Sequence, residues 1–148
     1  MSVARIYTVD AGVFVNAFKS SEPGHEESHR FLALCQEQGV PLIEPTLLLP
    51  EVAAAIRRGT GDAVLANRFA AALSGLPHIV QVALDEALAR QAAEVAAIHE
   101  LRGSDAVYAA VALRFGSALV TLDQQQYERA AAVVTTVKPA EALRAWSI

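Results

Sequence analysis

Val3-Ala4-Arg5-Ile6-Tyr7-Thr8-Val9-Asp10 at one end of the chain and Ala118-Leu119-Val120-Thr121-Leu122-Asp123 near the other share one build: a short apolar run closed by an aspartate. Each reads as a strand apolar on both faces, and such strands belong in a parallel sheet covered by helices on two sides. The segments between them fit. A helix follows Asp10 through Phe18. Residues 25–38 place Phe31, Leu32, Leu34 and Cys35 at helical spacing, with Gly39 as the C-terminal cap, and Pro41 to Glu44 forms a second strand. Pro50 suits a helix start, Glu51 to Arg58 continues that helix, and Gly59 stops it before another from Asp62 to Leu73. His78 to Val82 is a third strand and Asp85 to Glu100 an Ala-rich helix. Arg102-Gly103-Ser104 breaks the chain before a helix from Asp105 to Phe115 that is apolar nearly all round and therefore buried. Ala118 to Leu122 is the fourth strand, Gln124 to Ala130 a short helix, Val133 to Val137 the fifth strand, and Ala140 to Trp146 a terminal helix. The expectation is one α/β domain over residues 1–148, a three-layer α/β/α sandwich.

At 148 residues the chain fits one domain, able to remove about 70% of its unfolded surface from water. Its longest apolar run, Ala106 to Leu113, is far short of the roughly 20 residues a membrane span needs. Asp10 and Asn16 interrupt the apolar N-terminal region, which fails as a signal peptide, so a cytoplasmic location is expected. The single Cys35 has no partner for a disulfide and reads as a buried thiol. A net charge of −4 argues against a broad basic surface for nucleic acid, which would need several Lys and Arg per site. Two divalent cations on acidic side chains would cancel that charge, leaving local or metal-assisted contact with phosphate open.

Of the 16 acidic residues, Asp10, Glu51, Asp105 and Asp123 each adjoin an apolar run. Asp10 and Asp123 follow the first and fourth strands, and ligands of open parallel sheets bind beyond the carboxyl ends of strands. Glu51 and Asp105 lie in the first turns of helices, where carboxylates are favoured by the helix dipole. Taken singly, each has an ordinary explanation. Asp123 with Gln126 fits a capping box, Asp10 can end its strand in a turn, and Glu51 and Asp105 can simply complement a dipole. The signal lies in the set.

Tyr7-Thr8-Val9-Asp10, Leu49-Pro50-Glu51-Val52, Gly103-Ser104-Asp105-Ala106-Val107-Tyr108-Ala109-Ala110 and Thr121-Leu122-Asp123, in this order, resemble PIN-domain ribonucleases, most closely their VapC-like toxin branch. The resemblance spans almost the whole chain. It implies a central five-stranded parallel sheet, a Mg²⁺ or Mn²⁺ site on the four carboxylates, and hydrolysis of phosphodiester bonds in single-stranded or loop RNA. It further implies a cognate antitoxin protein and a homodimer. Asp10, Asp105 and Asp123 are then the expected metal ligands, with Glu51 as a ligand or an orienter of bound water. Hard divalent cations select such oxygen donors, and ions so held activate water and polarise phosphate. The family often carries a hydroxyl or amide side chain shortly after the first aspartate, where Ala11 and Gly12 stand here. Thr121, two residues before Asp123 on the same side of its strand, is a candidate to position a carboxylate or a water. Arg57 and Arg58 at the end of the Glu51 helix, and Arg102 ahead of Asp105, are candidates to grip phosphate, although solvated helix-end charge is the more ordinary explanation for each of the three. Tyr108 reads as core.

Two other readings remain open. His25-Glu26-Glu27-Ser28-His29 matches His-Glu-x-x-His, a zinc-hydrolase pattern, but it stands at a helix start and no third ligand stands out. A PIN-like scaffold that binds RNA or protein without cutting is the non-enzymatic alternative; the presence of all four carboxylates favours catalysis.

Overall fold

The structure, a computed structural model, describes residues 5–146. It contains five strands, β1 (Tyr7–Val9), β2 (Leu42–Pro45), β3 (Ile79–Val82), β4 (Ala118–Val120) and β5 (Thr136–Val137). Eight helices are found among the described residues: α1 (Ala11–Phe18), α2 (His25–Gln38), α3 (Leu48–Thr60), α4 (Ala63–Ser74), α5 (Glu86–His99), α6 (Gly103–Phe115), α7 (Gln124–Ala130) and α8 (Pro139–Trp146). All strand pairs are parallel and the sheet order is β3-β2-β1-β4-β5. Successive crossovers run outward from β1 to β3, then jump back across β1 to β4. With right-handed crossovers, that reversal puts α1 to α4 on one face and α5 to α7 on the other. Contacts of α1 with α2, of α3 with α4, and of α5 with α6 fit this, and α8 returns to pack on α2. The expected three-layer α/β/α sandwich with a five-stranded parallel sheet is what the chain forms. None of its described helices is long and apolar enough to cross a membrane.

Several element ends differ from the sequence reading, each for a local reason. Helix α3 starts at Leu48 and runs through Gly59; it ends where Gly61 takes a left-handed conformation, φ 72°, and returns its N–H to the Arg57 carbonyl. Gly103 and Ser104 are the first residues of α6 rather than a break before it, with Arg102 at its N-cap. Strand β4 stops at Val120, so Thr121 and Leu122 lie in the loop beyond it, and β5 is confined to Thr136 and Val137. Strand β1 spans only Tyr7 to Val9, with the Ile6 carbonyl just ahead of it accepting the Ala118 N–H at 3.1 Å; Val3 and Ala4 lie outside the described residues. Aspartates cap α1, α4, α5 and α7, each accepting a backbone N–H from the following turn.

The core lies on both faces of β1 and β4. Helix α6 is buried continuously from Asp105 to Ala112, as its lack of a polar face requires, and packs against β1, β2 and β4. On the opposite face Phe31 of α2 meets Tyr7 edge-on, with ring centroids 5.1 Å apart, and Cys35 is fully buried nearby. Thr8 and Ser117 share a buried hydroxyl hydrogen bond of 2.6 Å across the two central strands. Thr8→Val is therefore expected to cost about 1–3 kcal/mol, because Ser117 Oγ stays buried without its partner. The Thr8→Val/Ser117→Ala double variant should recover most of that loss in a denaturant-unfolding mutant cycle; purely additive losses would contradict the pairing.

Candidate active site

The strand-order reversal between β1 and β4 opens a crevice beyond their carboxyl ends, the place where open parallel sheets hold ligands. Asp10 leaves β1 into it. Its N–H is anchored on the Val120 carbonyl of β4 at 2.9 Å, and its Oδ2 accepts the Gly12 N–H at 3.2 Å. A Cβ added at Gly12 would itself stand 3.2 Å from that oxygen, so the backbone here supplies the contact that a side chain would crowd. Asp123 caps α7 just past β4, its Oδ1 accepting the Gln126 N–H at 2.8 Å. Asp105, in the first turn of α6, is nearly buried, and Glu51 lies in the first turn of α3.

Arg102 ties two of these carboxylates together. Its Nε donates to Asp105 Oδ2 at 3.0 Å and its Nη2 to Asp123 Oδ2 at 2.5 Å. Burial is the main reason Asp10 is pushed up from its usual 3.8 to about 7; Asp105 raises it further, the Gly12 N–H partly offsets this, and Glu51 and Asp123 add smaller increments. Burial raises Asp105 too, against the opposing pull of Arg102. Asp10 thus feels the other three predicted carboxylates, and Asp105 feels Asp123 as well.

The remaining sequence candidates divide. Thr121 does contact the site, but from the loop: its Oγ1 accepts the Asp123 N–H at 3.0 Å and donates to Gln126 Oε1 at 2.6 Å. Arg57 and Arg58 are exposed in the last turn of α3 and, among the described residues, neither pairs with any of the four carboxylates. The His25–His29 pair has rings 5.6 Å apart, and His25 Nδ1 is engaged by the Asn16 carbonyl at 2.9 Å. No three His, Cys, Asp or Glu side chains among the described residues are grouped closely enough to hold a metal ion, so the zinc pattern has no third ligand. The same holds of the four carboxylates as they stand, where Arg102 is the bridging cation. Their chemistry nonetheless suits a hard divalent ion: the donors are all oxygen, and the repulsion that raises Asp10 is what a cation relieves.

Three supporting residues escaped the sequence reading. Tyr108 is core, as read, yet its hydroxyl donates to Glu51 Oε1 at 2.7 Å and fixes that carboxylate. Gln126 is fully buried; beyond its Thr121 contact, its Nε2 donates to the Asp105 carbonyl at 3.3 Å, joining α7 to α6. Its signal was visible as the glutamine of the capping box, which here reaches sideways instead of back to Asp123. Glu44, read only as the end of a strand, is fully buried with its Oε2 accepting the Val9 N–H at 2.7 Å.

The raised Asp10 predicts a pH dependence in EDTA. Its folded-state value, about 7, exceeds the unfolded 3.8, so its contribution to stability is present below pH 3.8 and lost as pH rises through about 7. Asp10→Asn is expected to melt ~5 °C or more above the wild type at pH 8 in EDTA. That gap should narrow toward pH 5 and close only near pH 3.8, as scanning calorimetry across this range would read; a variant less stable than wild type at pH 8 would contradict the burial and repulsion that raise Asp10.

Comparison with known proteins agrees with this architecture. The family model described as the PIN domain matches residues 7–132. No curated protein matches the chain at a significant level. Among solved structures it is similar to Mycobacterium tuberculosis VapC20, described as a sarcin-ricin loop cleaving toxin, at 20% identity and TM-score 0.73, covering 89% of this chain and 98% of that one. A Pyrobaculum aerophilum protein, PAE2754, gives 22% identity and TM-score 0.67 over 99% and 98% of the two chains. A chain of VapBC2 from Rickettsia felis, solved bound to a DNA fragment from its promoter, gives 12% and 0.67 over 90% and 98%. At such identities the structural likeness is one of fold. The family match covers most of the chain, from the first residue of β1 to beyond α7, and the chain belongs to the PIN domain family.

Proposed function

We propose that this protein is a Mg²⁺- or Mn²⁺-dependent endoribonuclease that hydrolyses phosphodiester bonds in single-stranded or loop RNA, and that it is the toxin of a toxin–antitoxin pair. One observation carries the reading: at the β1/β4 switch Asp10 feels Glu51, Asp105 and Asp123, acids scattered over more than a hundred residues of sequence. Membership of the PIN domain family and likeness in fold to a loop-cleaving VapC toxin support it. Toxin–antitoxin assemblies among the structural neighbours support an antitoxin partner. A homodimer and a cytoplasmic setting complete the proposal.

Asp10, Asp105 and Asp123 would hold the cation, and Glu51, fixed by Tyr108, would be a further ligand or would orient a water bound beside it. When bound, the ion polarises the scissile phosphate and lowers the pKa of an attacking water. The chain's own residues do the rest. Thr121 and Gln126 lock the Asp123 turn against α6, so that Asp105 and Asp123 keep their separation. Arg102, two-thirds exposed at 63%, can exchange its carboxylates for a phosphate oxygen without leaving the rim. The net charge of −4 is then no obstacle, because contact with RNA is concentrated at the site.

Incubating wild type and Asp105→Asn with structured RNA pools in Mg²⁺, Mn²⁺ or EDTA, and mapping the ends, tests the reading. Cleavage is expected only with metal and should fall about a hundredfold or more in the variant. Intact RNA in every condition, with metal still bound by the wild type, would instead support a binding-only scaffold.

A further inference from the structure

Strands β1 and β2 part company just below the site. They share one register pair, Tyr7 with Leu42, and the Tyr7 N–H reaches the Pro41 carbonyl at 3.2 Å. Beyond that point β2 keeps step with β3 through four pairs, and β1 with β4 through three. The next N–H that β1 presents toward β2 belongs to Val9, and no backbone carbonyl of β2 takes it. Glu44 Oε2 takes it instead, at 2.7 Å. The Asp10 N–H, on the opposite side of the strand, is held by the Val120 carbonyl. The two residues that aim the first carboxylate into the crevice are therefore gripped from both sides, by β4 backbone on one and by a β2 side chain on the other.

A carboxyl is an expensive way to satisfy one amide. Glu44 is fully buried, and its Oε1 has no hydrogen-bond partner, a cost that calls for an explanation. Burial pushes the group well above the usual carboxylate range, against the pull of the Val9 N–H, with Asp10 adding to the rise. The field of Glu44 also reaches Tyr108, the residue that fixes Glu51, and Cys35 on the opposite face.

We propose that Glu44 is a positioning residue: its carboxyl replaces the missing sheet hydrogen bond at Val9 and thereby sets the direction in which Asp10 enters the metal site. The inference rests on the nuclease reading above, since it concerns how that site is held. Metal sites lose affinity when such outer supports are removed, typically 10- to 100-fold.

The test measures Mn²⁺ affinity by electron paramagnetic resonance, alongside thermal melting, for wild type, Glu44→Met, Glu44→Gln and Leu88→Ala. Met preserves length and removes the acceptor; Gln restores it; Leu88, fully buried on α5, reports a loss of core packing with no hydrogen bond to the site. Glu44→Met is expected to weaken Mn²⁺ about tenfold or more, Glu44→Gln by less than about threefold, and Leu88→Ala to melt lower with unchanged affinity. Should Glu44→Met fail to fold, Glu44→Leu takes its place, and the Gln variant still decides whether the acceptor or the ionised acid is used. Wild-type affinity in Glu44→Met overturns the positioning role alone, as does equal weakening in Glu44→Gln or in Leu88→Ala. No Mn²⁺ bound by the wild type overturns the metal-site reading itself, and this inference with it.

Discussion

Carboxylates brought together in a half-buried crevice cannot all stay ionised unless something positive stands among them. That constraint organises this end of the molecule. Desolvation and mutual repulsion push Asp10 up to about 7, whereas Asp105 is partly relieved by the Arg102 guanidinium that it shares with Asp123. The crevice is unfavourable as a structure, and the fold must hold it against its own repulsion. Stability given up at such a place has to be recovered elsewhere in the domain.

The recovery comes from buried hydrogen bonds that converge on the site from both layers. Thr8 and Ser117 clamp the central strands, Gln126 links the α7 turn to α6, and Tyr108 carries Glu51 to the sheet from within the core. Each of these bonds joins residues distant in sequence, so it forms only once the elements that carry them have come together. Rigidity at the crevice is thus a consequence of α6 being buried all along its length, since it supplies both Asp105 and Tyr108. An apolar helix with one carboxylate at its entrance serves as both core and site wall.

Much of this was legible in sequence because the dominant signals are local. Apolar runs closed by Asp10 and Asp123, the α2 boundaries and the all-round apolar α6 each follow from periodicity and capping chemistry acting within one element. The parallel order follows from strands alternating with helices. What was illegible depends on contacts across the fold. Glu44 resembles any strand-end acid until the divergence of β1 from β2 leaves the Val9 N–H in need of it. Tyr108 reads as core because it is core; only the hydrogen bond that joins it to Glu51 of α3, on the other face of the sheet, reveals what its hydroxyl meets. Gly59 looked like a helix stop, yet the left-handed turn falls at Gly61, a choice that the sequence offers twice within three residues.

The central claim is that these carboxylates form one electrostatically coupled cation site, and a pH titration of the Asp10 side-chain carboxyl by ¹³C NMR, with and without Mg²⁺, addresses it directly. A midpoint near 7 in EDTA that moves below the usual carboxylate range with Mg²⁺ is the predicted result. A midpoint near the ordinary 3.8 in both conditions would mean that Asp10 neither feels the other three acids nor shares an ion with them, and the account would fail.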